Sequence, residues 1–376
     1  VRRARATNKV FEFERKQKDH LTLGYLSADF RNHVITRLAV EMFERHDRKR
    51  FKVMAYSYGQ NDGSDLRKRA ENAFDTFTDI RHSSIEESVR RIYDDRVDIL
   101  IDLNGFMARS RPEIAAFRPA PIQVNFLGIP GTTGSDFLDY IIVDHYLIPE
   151  GKDQFYSEKP VYMPDCHQVN PSSRSTASTA RNRSDYGLPG DGIVFACFGR
   201  SNKVNPPIFD VWMRILTAVQ GSVLWMITGQ SSEADSLRRE AECRGIDPGR
   251  LVFGDILNQP EHLMRYLLAD FLLDTFPYNA GSTASDAIWM GCPIITCSGE
   301  TYVSRTAGSV LHAIGVPELI TTSFSDYEEL AIRLAKHPDE LKSLRKEILH
   351  NRDTAPLFDC RRFTRNIEAA YDNMWQ

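Results

Sequence analysis

With 376 residues, 42% hydrophobic and 26% charged, the chain has the make-up of an ordinary soluble globular protein, long enough for two domains with separate cores. A net charge of −4 excludes bulk attraction to nucleic acid, although local basic patches stay open. No run approaches the roughly 18 to 20 apolar residues of a membrane span, and no charged N-terminal region leads into an apolar signal segment.

The opening "VRRARATNKVFEFERKQK" is basic and reads as a solvated helix or connector over 1–20. Because the chain begins with Val rather than Met, it is expected to be one piece of a longer protein. From Leu21 onward, apolar runs alternate with amphipathic stretches. "LTLGYLSADF", "FKVMAYSYG", "VDILIDLNG", "IQVNFLG" and "YIIVD" are predicted strands, with helices between them over Thr36 to His46 and Ser84 to Asp95. Continuous apolar strands separated by helices predict a parallel sheet covered on both faces. "NPSSRSTASTARNRS", Asn170 to Ser184, has no apolar periodicity and reads as a linker or long loop.

The alternation then restarts with "IVFACFG", "SVLWMITG", "RLVFGD", "FLLDT" and "PIITCSG". "EADSLRREAECRG" is a predicted helix closed by Gly245, and Asp359 to Gln376 a final amphipathic helix. The boundaries that follow are an N-terminal α/β domain over 21–165, a linker over 166–184, a second α/β domain over 185–355 and a terminal helix over 356–376. Six cysteines, at 166, 197, 243, 292, 297 and 360, mostly sit in apolar runs without CxxC or His/Cys ligand spacing. They read as buried free thiols of a cytoplasmic protein.

In doubly wound sheets, ligands sit beyond the carboxyl ends of the strands. After the first strand, "SADFRNHVITR" carries His33, either a surface or core histidine or a catalytic one, and Asp29, a candidate N-cap. "DLNGF" and "FLGIPGTTGSDF" follow later strands. Gly128, Gly131 and Gly134 with Thr132 and Thr133 offer either open backbone amides for an anion or sugar, or a tight turn needing positive φ. In the second half, "CFGRSNKVNPPIFDVW" places Arg200 and Lys203 after a strand, and "FGDILNQPEHLMRYLLAD" places His262 and Arg265 one turn apart. Each cation taken alone is an ordinary surface residue. Together they suit a departing diphosphate.

"NAGSTASD" raises the sharpest question. A helix starting near Ser282 or Thr283 would offer free amides and its dipole to an anion. Asp286, one turn in, could accept from ribose hydroxyls, with Lys203 as countercharge. The chain has no Walker A or GxGxxG motif, and no Asp-x-Asp pair to clamp a diphosphate through a metal.

"GYLSADFRNH", "RPAPIQVNFLGIPGTTG", "DYIIVD", "YSEKPVYMP", "SDYGLP", "SVLWM", "LLDTFPYNAGSTASDAIWMGCPIIT", "GETYVSR" and "APLF" resemble, in order, the catalytic region of O-linked N-acetylglucosamine transferases, bacterial ones above all. The resemblance runs from about Leu21 to the C-terminus. It implies a GT-B fold of two facing Rossmann-like domains, and inversion at the anomeric carbon without a metal or other cofactor. UDP-N-acetylglucosamine is the implied donor and protein Ser or Thr the implied acceptor. By the same match Lys203 contacts the diphosphate, Ser282 and Thr283 hold phosphate, Asp286 binds the ribose, His262 and Arg265 lie by the uridine, and His33 lines the acceptor side. The last helix is expected to cross back to the first domain. Tetratricopeptide repeats usually precede this region, so the basic opening is expected to be the stub of such a domain.

The chain departs from the animal members at several points. They carry "NGHTT" where this chain has "NAGST", so Gly281 replaces a histidine near the donor. Gln259 replaces a lysine near the ribose and Arg200 a glutamine. Arg90 and Tyr93 align with an acidic residue and a histidine whose parts they cannot play. A second reading therefore keeps the fold with another UDP-hexose, or with an Asn, lipid or glycan acceptor. A third is a UDP-sugar-binding module that has lost catalysis. Intact Lys203, Asp286 and "GETYVSR" speak against the third. In the catalytic reading His33 accepts or relays the hydroxyl proton, since an unperturbed imidazole titrates near neutrality.

Overall fold

The computed structural model describes residues 11–13, 17–178 and 181–376, so most of the basic opening lies outside the described residues. The chain divides into two compact units, Val1–Ser172 with Phe358–Gln376, and Ser173–Leu357. Each is a parallel sheet flanked by helices.

The first unit holds seven strands: β1 (Leu21–Ser27), β2 (Phe51–Ser57), β3 (Thr76–Asp79), β4 (Ile99–Asp102), β5 (Ile122–Asn125), β6 (Tyr140–Asp144) and β7 (Lys159–Met163). Their order is β3-β2-β1-β4-β5-β6-β7, so the winding direction reverses between β1 and β4. There Leu23 pairs with Ile99 and Leu26 with Asp102. β1 and β4 are buried almost throughout because helices cover both faces.

The sequence pattern missed β3 and β7. The first, "TFTD", is half exposed and polar. The second carries Pro160, which has no N–H for a ladder and is tolerated because β7 is an edge strand. The helix expected from Thr36 begins at Val34, and its N-cap is His33 rather than Asp29. Asp29 lies too far upstream, separated from the helix by the turn at Arg31 and Asn32.

The last helix, Cys360–Trp375, belongs to this first unit. Phe363, Ile367, Ala370, Tyr371 and Met374 recur at helical spacing and enter the same core as Leu23, Tyr25, Phe43 and Val53. Beneath it, Tyr25 Oη lies 2.8 Å from His46 Nε2 and 3.1 Å from Tyr371 Oη, while His46 Nδ1 meets Glu368 Oε1 at 2.9 Å. Ile367→Ala would cost about 2–5 kcal/mol by opening that core.

The second unit holds β8 (Val194–Cys197), β9 (Val223–Ile227), β10 (Leu251–Gly254), β11 (Phe271–Leu273), β12 (Ile294–Cys297) and β13 (Ile320–Thr321). Their order is β10-β9-β8-β11-β12-β13, so the reversal falls between β8 and β11. Loops leaving the carboxyl ends of those two strands diverge and leave a crevice where ligands bind in such sheets. β13 has only two residues, too few for a sequence pattern. Among the described residues no helix is long and apolar enough to cross a membrane.

Candidate active site

At the reversal in the second unit, the chain leaves β8 as Phe198-Gly199-Arg200 and turns through a short 3₁₀ segment, Ser201–Lys203. Asn205 then caps the helix Pro206–Ala218, accepting from Ile208 N, and its Nδ2 donates to Phe276 O at 2.5 Å. That bond ties the β8 loop to the loop leaving β11. Lys203 crosses the same gap. Its Nζ donates to Asn279 O at 3.1 Å and lies 3.9 Å from the centre of the Tyr278 ring. Burial lowers the pKa of Lys203, the charges of Asp274 and Cys197 oppose that, and Arg200 adds to it.

The β11 loop, "DTFPYNAG", is held from inside by Asp274. One carboxylate oxygen accepts from Thr275 N and Ala280 N, each at 2.8 Å, and the other from Thr296 Oγ1 at 2.7 Å. Asn279 is fully buried and donates from Nδ2 to Thr275 O and Cys297 O. The "GETYVSR" segment braces the loop from its far side. Asn279 N donates to Val303 O at 2.9 Å, and Thr306 Oγ1 to Ala280 O at 3.2 Å. Gly299 is required there, since a Cβ would stand 2.6 Å from Ser304 Oγ.

The helix expected near Ser282 runs Ser282–Trp289. Gly281 is its N-cap and no side chain caps it. The first amides, at Ser282 and Thr283, therefore lack the usual side-chain acceptor, which suits an anion. Asp286 is already engaged. It pairs with the buried Arg174 guanidinium and accepts from Gln259 Nε2 at 3.0 Å. Arg174 comes from the stretch read as a linker, and the sequence reading overlooked it because no periodicity marks a lone loop arginine. Its Nη2 also reaches Ser285 Oγ at 3.2 Å.

His262 and Arg265 lie on the helix Gln259–Arg265. His262 Nε2 is 3.2 Å from Tyr266 Oη, and the ring packs edge-on against Phe198. Arg265 is 1% exposed. Its Nη2 donates to Asp255 O, and its guanidinium lies 5.5 Å from the Tyr186 ring and 5.9 Å from the Trp225 ring. Among the described residues its Nε and Nη1 have no hydrogen-bond partner, nor does Trp225 Nε1. A buried guanidinium with idle donors is costly unless something accepts from it.

In the first unit, His33 Nδ1 accepts from Ile35 N at 3.3 Å and lies 3.6 Å from Asp29 Oδ2. With Nδ1 accepting, the neutral ring keeps its proton on Nε2. Asp29 and Ser27 are locked to Asn104: its Nδ2 donates to Asp29 Oδ2 at 2.8 Å, and its Oδ1 accepts from Ser27 Oγ and Ala28 N. Burial pushes Asp102 up to about 6, against the opposing amides of Asn104 and Gly105.

Of the two alternatives at 128–134, the hydrogen bonds favour the turn. Gly128 N donates to Phe126 O, Gly131 N to Ile129 O, Gly134 N to Thr132 Oγ1 and Thr133 N to Glu158 Oε1. Both threonine hydroxyls also donate to Glu158. Gly128 is dictated by a backbone crossing, because a Cβ there would meet Leu103 O at 2.2 Å. Gly134, at φ 64°, fits the tight-turn alternative.

Five of the six cysteines are buried free thiols, and Cys243 is exposed. Asp144, Cys166 and His167 form a buried group close enough to share a cation, which the spacing argument did not anticipate. His167 Nδ1 faces Asp144 Oδ2 at 3.2 Å. Burial pushes that imidazole down, but its hydrogen bonds with Asp144 and Cys166 more than reverse this and raise it to about 9. The ring therefore bears its proton toward Asp144 and acts as an ion-pair partner.

A half-buried lysine and a helix start without a side-chain cap flank one strand-order reversal, without a glycine-rich phosphate loop. The family model of glycosyl transferase family 41 matches residues 4–174 and 172–367. The chain belongs to glycosyl transferase family 41. It is 37% identical over 361 residues to a probable UDP-N-acetylglucosamine–peptide N-acetylglucosaminyltransferase of Arabidopsis thaliana, covering 94% of this chain and 37% of that protein. To a UDP-N-acetylglucosamine–peptide N-acetylglucosaminyltransferase of Caenorhabditis elegans it is 28% identical over 476 residues, covering 97% and 41%. The chain thus spans about two fifths of these relatives' lengths.

Among solved structures it resembles a mutant of the Thermobaculum terrenum O-GlcNAc transferase, with a TM-score of 0.87, 29% identity, and coverage of 95% of this chain and 68% of that one. An Anabaena protein in complex with UDP and glucose shares the fold alone, at TM-score 0.63, 9% identity, and coverage of 94% and 100%. The two parallel α/β sheets of this family 41 chain are those of the GT-B class.

Proposed function

We propose that this family 41 protein transfers N-acetylglucosamine from UDP-N-acetylglucosamine to Ser or Thr hydroxyls of proteins, with inversion and without a metal. The observation that carries the reading is Lys203, a half-buried cation held on Asn279 O, three residues ahead of a helix N-terminus that no side chain caps, at the β8–β11 reversal. Such a pair suits charge growing on a departing diphosphate. The acceptor hydroxyl attacks the anomeric carbon, the bond from that carbon to the diphosphate oxygen breaks, and UDP leaves with the electron pair. Lys203 and the amides at Ser282 and Thr283 stabilise that oxygen and its phosphate. With no Asp-x-Asp pair in the sequence, these groups take the part that a clamped cation plays elsewhere.

Arg265 reads the uracil or ribose with its idle donors, and His262 packs beside it. Asp286, steadied by Arg174 and Gln259, keeps lone pairs for a ribose hydroxyl. Arg200 and Gly281 border the donor. Gly131, Thr132 and Thr133 act through the scaffold they form with Glu158. His33 is placed on the acceptor side as a donor that orients the hydroxyl, since its Nδ1 is engaged at the helix start. The hydroxyl proton then leaves to solvent water rather than to its Nε2. Free thiols at all six cysteines support a reducing, cytoplasmic setting. An upstream tetratricopeptide-repeat segment belongs to the same proposal, because the chain matches only 37% of the Arabidopsis relative.

The test is incubation with UDP-N-acetylglucosamine and Ser/Thr peptides in chelator, with mass spectrometry for added N-acetylhexosamine. A gain on Ser or Thr that Lys203→Ala abolishes supports the reading. UDP released only from other UDP-sugars would move the donor, and Gly281, Gln259 and Arg200 are where that difference would lie. Silence with every donor, at full UDP affinity, would replace it with a binding module.

A further inference from the structure

The peptide group joining Asn279 to Ala280 is held at both ends by opposite charges. Its carbonyl oxygen accepts from Lys203 Nζ at 3.1 Å, and its N–H donates to Asp274 at 2.8 Å. Both hydrogen bonds are charge-assisted, and each polarises the peptide dipole in the sense that strengthens the other. Asp274 is 4% exposed and sits at the end of β11, tied also to Thr275 N and Thr296 Oγ1. The reading of the site above gives it no part.

We propose that Asp274 is the positioning residue for Lys203: through the 279–280 peptide it fixes where the ammonium group sits and keeps it charged in a half-buried site. The inference rests on the proposed function only for what Lys203 then does to the donor. The groups facing this pair are Lys203 from the β8 loop, Cys197 at the end of β8, Cys297 at the end of β12, and Tyr327 from the helix Phe324–Lys336, with Arg200 acting on Lys203. Tyr327 Oη donates to the main-chain oxygen of Asp274 at 3.0 Å, leaving the carboxylate to the loop. Lys203 is the cation whose charge acts on this carboxylate, across the 279–280 peptide. Burial raises Asp274 to about 6, while Thr296, the Ala280 amide and Lys203 act to lower it.

Asp274→Asn separates charge from shape. The amide oxygen can still accept from Thr275 N and Ala280 N, and Thr296 Oγ1 can accept from the new NH₂. The experiment follows the Lys203 side chain by ¹³C NMR across pH 5 to 11, with Lys203→Arg assigning the resonance. In the unmutated protein the resonance should show its own titration and a second, smaller inflection near pH 6 as Asp274 takes up its proton. In Asp274→Asn that inflection should vanish and the Lys203 midpoint should fall by about one pH unit or more, a tenfold change in the ratio of charged to neutral lysine at a fixed pH. Turnover should fall at alkaline pH, most above the variant's midpoint, and little at pH 6. In a Lys203→Ala background, Asp274→Asn should cost less than about twofold.

An unchanged Lys203 midpoint, or an equal cost in both backgrounds, overturns the inference. If Asp274→Asn does not fold, the wild-type inflection decides, and its absence overturns the inference. These resonances need no turnover. A protein that releases no UDP from any donor would sink the proposed function while leaving this test in place.

Discussion

The two units repeat one architecture and finish it differently. At the β1–β4 reversal, polar groups satisfy one another. Asn104 closes Ser27, Ala28 and Asp29, Asp102 accepts from Asn104 N and Gly105 N, and Glu158 takes up the Thr132–Thr133 loop. Among the described residues its unpartnered buried atoms are neutral amide oxygens, on Gln123 and Asn125. At the β8–β11 reversal the arrangement is less complete. Among the described residues Arg265 keeps two idle donors, no side chain caps the helix at Ser282, and Lys203 is half-buried. The second unit thus keeps charged groups and open amides at its reversal, which is what the proposed diphosphate site requires.

The largest effect that would break this contrast is on Lys203. Lys203→Ala should lower turnover on the order of 10²–10³-fold with the melting temperature within a few degrees of wild type. UDP release from UDP-N-acetylglucosamine reads it directly, and a loss under tenfold would return Lys203 to the scaffold. Next is Arg265→Met, which keeps a long apolar stem against Trp225 and Tyr186. UDP affinity by calorimetry should fall about ten- to hundredfold, as for lost hydrogen bonds to a charged group. Stability should hold or rise, because a buried cation with idle donors weighs against folding. Destabilisation without loss of UDP affinity would show the arginine to be structural.

The third prediction places pH-dependent stability in the first unit. His167 titrates near 9 when folded, against about 6.5 unfolded. The folded state therefore holds an extra proton between those values. The ion pair with Asp144 contributes fully below about pH 6.5, on the order of 3 kcal/mol, and the contribution is lost as pH rises through 9. Denaturant titrations of His167→Gln should run parallel to wild type above pH 9 and fall below it at pH 6. An equal deficit at both pH values would assign the loss to packing.

Fold and site were unequally legible. Period and length marked every long apolar strand, because burial on both faces leaves a continuous hydrophobic run. They passed over β3 and β7, whose exposure and Pro160 erase that run. The helix start at Ser282 and the place of Lys203 could be read from small polar residues and a cation after strands. Arg174 and Asp274 could not. Each matters through a group far along the chain, Asp286 for Arg174 and, by way of the 279–280 peptide, Lys203 for Asp274, and no local spacing encodes such a pairing. The glycines at 128–134 left two readings open for the opposite reason. One sequence signal serves an anion nest and a close backbone crossing, and only the neighbouring Leu103 carbonyl separates them.

The smallest effect concerns His33, where the first unit is expected to behave as a finished scaffold. Its Nδ1 caps the helix Val34–Arg45 by accepting from Ile35 N. A side-chain cap is worth about 0.5–2 kcal/mol, and Asn is among the best residues for the role. His33→Ala should thus lower stability by about 1 kcal/mol, and His33→Asn should restore it. Turnover separates the roles. A general base contributes about 10²–10⁴-fold, whereas a donor that only orients the acceptor hydroxyl contributes less than that. His33→Asn should accordingly keep turnover within about tenfold of wild type across pH 6 to 9. If turnover instead falls about 10²-fold or more, the ring does accept the proton. The helix cap must then open during the reaction, and the contrast between a closed first unit and an open second one would no longer hold.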